Sequence, residues 1–274
     1  MAIDRAQLAH ELLAAYASCT PIATPPTSRD AGFDLAAAYE VEAELVRLRR
    51  AEGRRTVGRK VGFANRAMWR ILKLDTLVWA HMYRDTVHEA TGGEAAFALG
   101  NRYSPRIEPE IVVKLKAPIE AGAADAASTL AAVDWLALGF EINDCLFPDW
   151  KFQPADFVAA FGLHTALIVG TPVPVTPDRI PALVEALPRF TVRLVRDGQL
   201  VEEGAGRNSL KSPALCLAEL AGAVARVPGA PPLAAGDIIS TGTLTAAHPI
   251  AAGEVWRAEV TGLDLESLTL RCAR

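Results

Sequence analysis

The chain changes its hydrophobic period once, and that change limits the folds open to it. Up to Glu52 apolar residues recur at helical spacing: Leu8, Leu12, Leu13 and Tyr16 within residues 4–18, then Leu35, Tyr39, Leu45 and Leu48 within 33–52. Asp4 and Gln7 form a capping box for the first helix. In the second, RLRR puts cations near the C-terminal end, where they suit the helix dipole, and Gly53 serves as the cap. Between them TPIATPPTSRDAG, residues 20–32, carries three prolines and reads as a linker. Beyond Gly53 short apolar segments alternate with Gly and Pro: TVGRKVGF, PRIEPEIVVKL, ALIVGTPVPV, FTVRLVRDGQLVEEG, GDIISTGTLT and EVWRAEVTGLDLESLTLRC. Alternation marks these as strands, and DGQ at 197–199 as a hairpin turn. Ala and Leu content predicts one more helix over 212–226. Helices first and strands after predict the α+β class, with a helical region over residues 1–70 and a β-rich, site-bearing domain over 71–274.

With 274 residues, 51% of them hydrophobic and 22% charged, the chain is long and apolar enough to bury a sizeable core. The formal net charge is -4 and no basic block occurs, which argues against nucleic acid or an anionic membrane as partner. Apolar runs such as 159–169 are too short to span a bilayer. The opening MAIDRAQLAHELLAAY has no apolar core flanked by Lys or Arg, so no signal peptide is expected. Cys19, Cys145, Cys216 and Cys272 stand far apart, as expected of free thiols in a cytoplasmic protein.

The chemistry concentrates in carboxylates. In a strand over Pro105–Leu115, Ile107, Ile111, Val113 and Leu115 share one face, and Glu108, Glu110, Val112 and Lys114 the other. Pro109 cannot donate to a ladder, which places this segment at an edge or rim. In WLALGFEIN, residues 135–143, Glu141 lies opposite Leu136, Leu138, Phe140 and Ile142. A carboxylate in so apolar a segment needs a proton, a cation or a metal. Three converging Glu would repel one another unless a hard divalent ion lay between them, and oxygen donors select Mg²⁺, Mn²⁺ or Ca²⁺ over zinc. Glu at i and i+2 is also an ordinary solvated strand face, and nothing local brings Glu141 to the other two.

GRKVGF (58–63), RIEPEI (106–111), GFEINDCLFPDWK (139–151) and GDIISTGTLTAAHPIAAGE (236–254) occur in that order. Together they resemble the 2-oxo-pent-4-enoate hydratase and 4-oxalocrotonate decarboxylase family of the fumarylacetoacetate hydrolase superfamily. The resemblance implies a small helical N-terminal part followed by a mixed β-sandwich roll. It implies Mg²⁺ or Mn²⁺ held by Glu108, Glu110 and Glu141, a small 2-oxo acid chelated by that ion, and Lys60 as a catalytic group near it. It further implies a homo-oligomer, able to associate with a related pathway enzyme in aromatic-compound catabolism. Asp144 and Lys151 match a stretch that supports the site from behind, and Thr241 and Thr243 are candidates to contact the substrate carboxylate.

The chain departs from the family pattern at three places. Val78, in LVWA, stands where hydratases carry an acid, and with Leu72 it is expected to line the substrate pocket. Ala160, Phe161 and Leu163 replace polar residues, which predicts a more apolar pocket, and His164 beside them is a candidate substitute proton carrier or a satisfied core residue. The helix LKSPALCLAELA matches only loosely. The expected activity is metal-dependent addition of water to a 2-hydroxy-dienoate or its 2-oxo-enoate tautomer. The alternatives are decarboxylation of a 2-oxo-enedioate, and a non-catalytic 2-oxo-acid-binding partner subunit.

Overall fold

In the computed structural model, which describes residues 2–122 and 125–274, the N-terminal part is helical. Helix α1 (Arg5–Ser18) starts at Asp4, whose side chain accepts from the Gln7 backbone N–H. Helix α3 (Leu35–Ala51) starts likewise at Asp34 and buries Ala37, Ala38, Val41 and Leu45. The expected linker is not wholly irregular: Pro25 and Pro26 start a single turn, α2 (Pro26–Arg29), held by Asp156, which accepts from the Thr27 backbone N–H and hydroxyl. Arg49 does more than face a helix dipole. It is buried, and its guanidinium lies over the rings of Tyr16, Tyr83 and Phe161, which pins α3 to the body.

The body then runs β1 (Thr56–Gly62), α4 (Arg66–Leu72), β2 (Val78–Tyr83), β3 (Val87–Glu89), β4 (Glu94–Ala98), β5 (Pro105–Leu115), α5 (Ala126–Ala131) and β6 (Val133–Asp144). There follow α6 (Pro154–Ala159), β7 (His164–Val169), β8 (Val173–Pro174), α7 (Ile180–Ala186), β9 (Thr191–Arg196), β10 (Gln199–Ala205) and α8 (Pro213–Ala225). The chain closes with β11 (Ile238–Thr243), β12 (His248–Pro249), β13 (Val255–Thr261) and β14 (Leu268–Ala273). A nine-stranded mixed sheet has the order β2-β1-β11-β5-β6-β7-β3, with β12 beside β5 and β8 beside β6. A five-stranded sheet has the order β10-β9-β13-β14-β4. The fold is therefore α+β, with helices leading into two mixed sheets. β1 falls within residues 1–70 yet pairs with both β2 and β11, so the large sheet takes a strand from before residue 71.

Two pairings position the site. β5 and β6 are the longest strands, and their antiparallel register sets Glu108 opposite Glu141 and Glu110 opposite Gly139. β1 lies parallel to β11, opposing Lys60 to Ser240. Ile107, Ile111, Leu138 and Phe140 point into the main core while Val112 and Ala137 face a smaller cluster, so each strand is apolar on both sides except where the glutamates interrupt it. Among the described residues no helix is long and apolar enough to cross a membrane.

Candidate active site

Alternation along β5 and β6 brings Glu108, Glu110 and Glu141 together: one carboxylate oxygen from each lies within 4.8 Å of the others. Glu110 and Glu141 are fully buried and Glu108 is partly open. Glu110 Oε2 accepts from the Ser240 hydroxyl and from the Gly242 backbone N–H at 2.8 Å, while its Oε1 is buried without a partner. Glu108 Oε2 accepts from Asn143 Nδ2 at 2.6 Å, and Asn143 Oδ1 accepts in turn from Lys60 Nζ at 3.1 Å. Lys60 also donates to the Gly162 carbonyl at 3.0 Å and lies 3.0 Å from Glu141 Oε2, an ion pair at an angle outside that of a hydrogen bond.

The electrostatics follow from these contacts. Burial, together with the Glu141 charge, pushes the Glu108 carboxyl up to about 7. Burial, then the charges of Glu141 and Glu108, carry Glu110 well above the usual carboxylate range. Burial acts on Glu141 in the same direction, but Lys60 and the His164 bond overcome it and hold this carboxyl below its ordinary value. Three acids at this spacing, with buried oxygens of Glu110 and Glu141 lacking hydrogen bonds, form an all-oxygen donor set that fits a hard divalent cation.

The cluster opens on a cavity of about 610 Å³. Lys60, Glu108 and Asn143 form its inner end; Phe63, Trp150, Phe152, Phe157 and Leu163 make apolar walls; Thr243, Thr245, Asn208 and Glu202 line another part. Lys60 reaches the inner end because of an unusual turn. Phe161, Gly162 and Leu163 have φ of 56°, 59° and 61°, three successive left-handed residues. A Cβ on Gly162 would lie 2.6 Å from Lys60 Cδ, so only glycine lets this backbone close on the lysine.

Several expected site residues lie elsewhere. His164 is buried and is not among the cavity's lining residues, its Nδ1 donating to Glu141 Oε1 at 2.8 Å and its Nε2 meeting Thr86 Oγ1 at 2.9 Å. Burial lowers its imidazole below the ordinary value, in keeping with a neutral ring. Val78 faces a second cavity beneath α3, and Leu72, at the end of α4, lines neither cavity. The Thr241 hydroxyl donates to the Ile111 carbonyl and is fully buried, whereas Thr243 does line the cavity, with its hydroxyl donating to the Thr245 carbonyl. Asp144 accepts from the backbone N–H groups of Tyr103 and Ser104, and Ser104 holds the Trp150 indole, so Asp144 acts on a pocket wall. Lys151 is exposed and, among the described residues, pairs only with Asp149. Asn143 and Glu202 went unremarked in the sequence; Asn143 lies two residues after Glu141 and so on its strand face, a signal that was there to be used.

Residues 79–268 match the model of the fumarylacetoacetate (FAA) hydrolase C-terminal family. A 4-oxalocrotonate decarboxylase of a Pseudomonas species is 32% identical over 242 residues, 88% of this chain and 89% of that protein. A 2-hydroxyhexa-2,4-dienoate hydratase of Comamonas testosteroni is 26% identical over 231 residues, 84% of each chain. The solved 4-oxalocrotonate decarboxylase of Pseudomonas putida G7, complexed with magnesium and adipate, superposes with a TM-score of 0.87 at 26% identity, covering 98% of this chain and 97% of its own.

Proposed function

Because this chain belongs to the fumarylacetoacetate hydrolase C-terminal family, we propose that it is a metal-dependent hydro-lyase that adds water to a 2-hydroxy-dienoate through its 2-oxo-enoate tautomer. The reading rests on the carboxylate cluster at the inner end of a cavity whose lining carries Lys60 as its one cationic side chain among the described residues. A single 2-oxo-carboxylate fits that charge pattern, because among the described residues no second cationic side chain lines the cavity to pair with another carboxylate. Glu108, Glu110 and Glu141 would hold Mg²⁺ or Mn²⁺, and magnesium is the ion of the solved relative. When bound, the ion supplies Lewis-acid polarisation of the 2-oxo group. Asn143 orients Glu108 and Lys60 together, and His164 fixes Glu141. Lys60 Nζ, at the cavity's inner end, moves the proton at carbon three. Phe157 and Leu163 exclude bulk water from the same end, and Thr243 stands where the substrate passes. The enzyme works in the cytoplasm, in aromatic-compound catabolism, as a homo-oligomer.

The second reading, decarboxylation of a 2-oxo-enedioate on the same cluster, is favoured by the 32% identical relative. The test is ultraviolet turnover of 2-hydroxypenta-2,4-dienoate and carbon dioxide release from 2-oxohex-3-enedioate, with and without Mg²⁺. Mg²⁺-dependent loss of the dienoate that is absent in Glu108→Ala supports the hydro-lyase; carbon dioxide release in its place supports the decarboxylase.

A further inference from the structure

Addition of water needs a base away from the metal end, and neither Val78 nor His164 supplies one. The second sheet does. Glu202, on β10, lines the cavity that Glu108 and Lys60 also line. Its Oε2 accepts from His248 Nε2 at 2.6 Å and from the Ala246 backbone N–H at 3.0 Å. Among the described residues no donor meets Oε1, so the bonded oxygen fixes the carboxylate and the other is left for the cavity. His248 is itself held in place: it sits on β12, paired opposite Ile107 of β5, with its ring 6.2 Å from that of Trp256. The dyad is about a quarter to a third exposed, open enough to exchange a proton with solvent.

We infer that Glu202 is the general base that activates the attacking water, and that His248 is the residue that positions it. This rests on the hydro-lyase reading and names the group that reading lacks. One O–H bond of water breaks, its proton passing to Glu202 Oε1. The C–O bond forms at the alkene carbon farther from the 2-oxo group, and the alkene's electron pair moves on to that group as an enolate. The enolate carbon takes a proton from Lys60. Glu202 returns its proton to solvent and Lys60 recovers one, so the sum is addition of H and OH across one double bond. Base and acid thus line one cavity and come from different sheets.

Three readouts on Glu202→Gln test this: hydration of 2-hydroxypenta-2,4-dienoate, Mn²⁺ binding by electron paramagnetic resonance, and deuterium exchange at carbon three of 2-oxopentanoate. Hydration is expected to fall at least about 100-fold. Mn²⁺ affinity and exchange, which depend on the glutamate cluster and Lys60, are expected to stay at wild-type values. For a positioning role, His248→Ala lowers kcat with KM little changed, and His248→Gln, which can still donate to Glu202, restores most of it. Hydration unaffected by Glu202→Gln overturns the dyad alone; so does a parallel loss of exchange and Mn²⁺ binding. A wild-type enzyme that consumes no dienoate overturns the dyad and the hydro-lyase reading together.

Discussion

Glu110 and Glu141 share one buried cluster yet are driven in opposite directions, because Lys60 and His164 touch Glu141 and, among the described residues, no basic side chain touches Glu110. Without an ion, Glu110 is therefore more readily protonated than Glu141. Glu110→Gln should consequently leave the melting temperature of the metal-free protein unchanged while abolishing the rise that Mg²⁺ causes, which differential scanning fluorimetry will read. Asn143→Ala removes the amide that ties Glu108 to Lys60 and should weaken Mn²⁺ binding about 10- to 100-fold in a direct titration. At this scale the sequence was readable in part. Glu108 and Glu110 could be placed on one strand face by spacing, but their meeting with Glu141 is a matter of β5–β6 register, which local pattern does not encode. His164 could be read as a proton carrier or as a satisfied core residue, because sequence shows what neighbours a residue along the chain, not that Thr86, far away in sequence, meets its second nitrogen. Nothing along the chain joins His248 to Glu202, since the two lie in different sheets and meet only in the fold.

Elements whose own pattern decides their form were the legible ones. α1 and α3 carry their caps, α8 its helix-favouring composition, and the β9–β10 hairpin its Asp197-Gly198 turn, with both residues at positive φ. β2, VWAHMY, is buried on both faces and so has no alternation to read, and β3, α4 and α6 are too short for a period to emerge. The left-handed turn at 161–163 was hidden for a different reason: two of its residues are Phe and Leu, which favour other conformations, and surrounding packing imposes this one. Its closeness to Lys60 makes a sharp prediction. Gly162→Ala puts a Cβ against Lys60 Cδ and Ala80 Cβ, and displacing the ammonium by an ångström should lower kcat about 100-fold while circular dichroism stays that of the wild type.

Over the whole molecule the cluster ties protonation to folding. Glu108 titrates at about 7 in the folded chain, above its ordinary 4.5, so the native state holds a proton that the unfolded chain releases earlier. The associated stability is complete below 4.5 and disappears as pH rises through 7. Metal-free protein should melt at a lower temperature at pH 8 than at pH 6, and Mg²⁺ should raise the melting temperature more at pH 8, where no proton competes for the site. Calorimetry at the two pH values checks both signs.

The glutamates lie on β5 and β6, inside the nine-stranded sheet and not on a loop that could open alone. An ion bound there is a ligand of the fold itself: at a free concentration one hundred times its Kd it adds about 2.7 kcal/mol to the native state. Proteases sample whatever fraction of a chain is open, so scarcity of the ion shortens the life of the molecule as well as silencing it. Abundance of this protein would then follow the supply of the ion, with no dedicated sensor required.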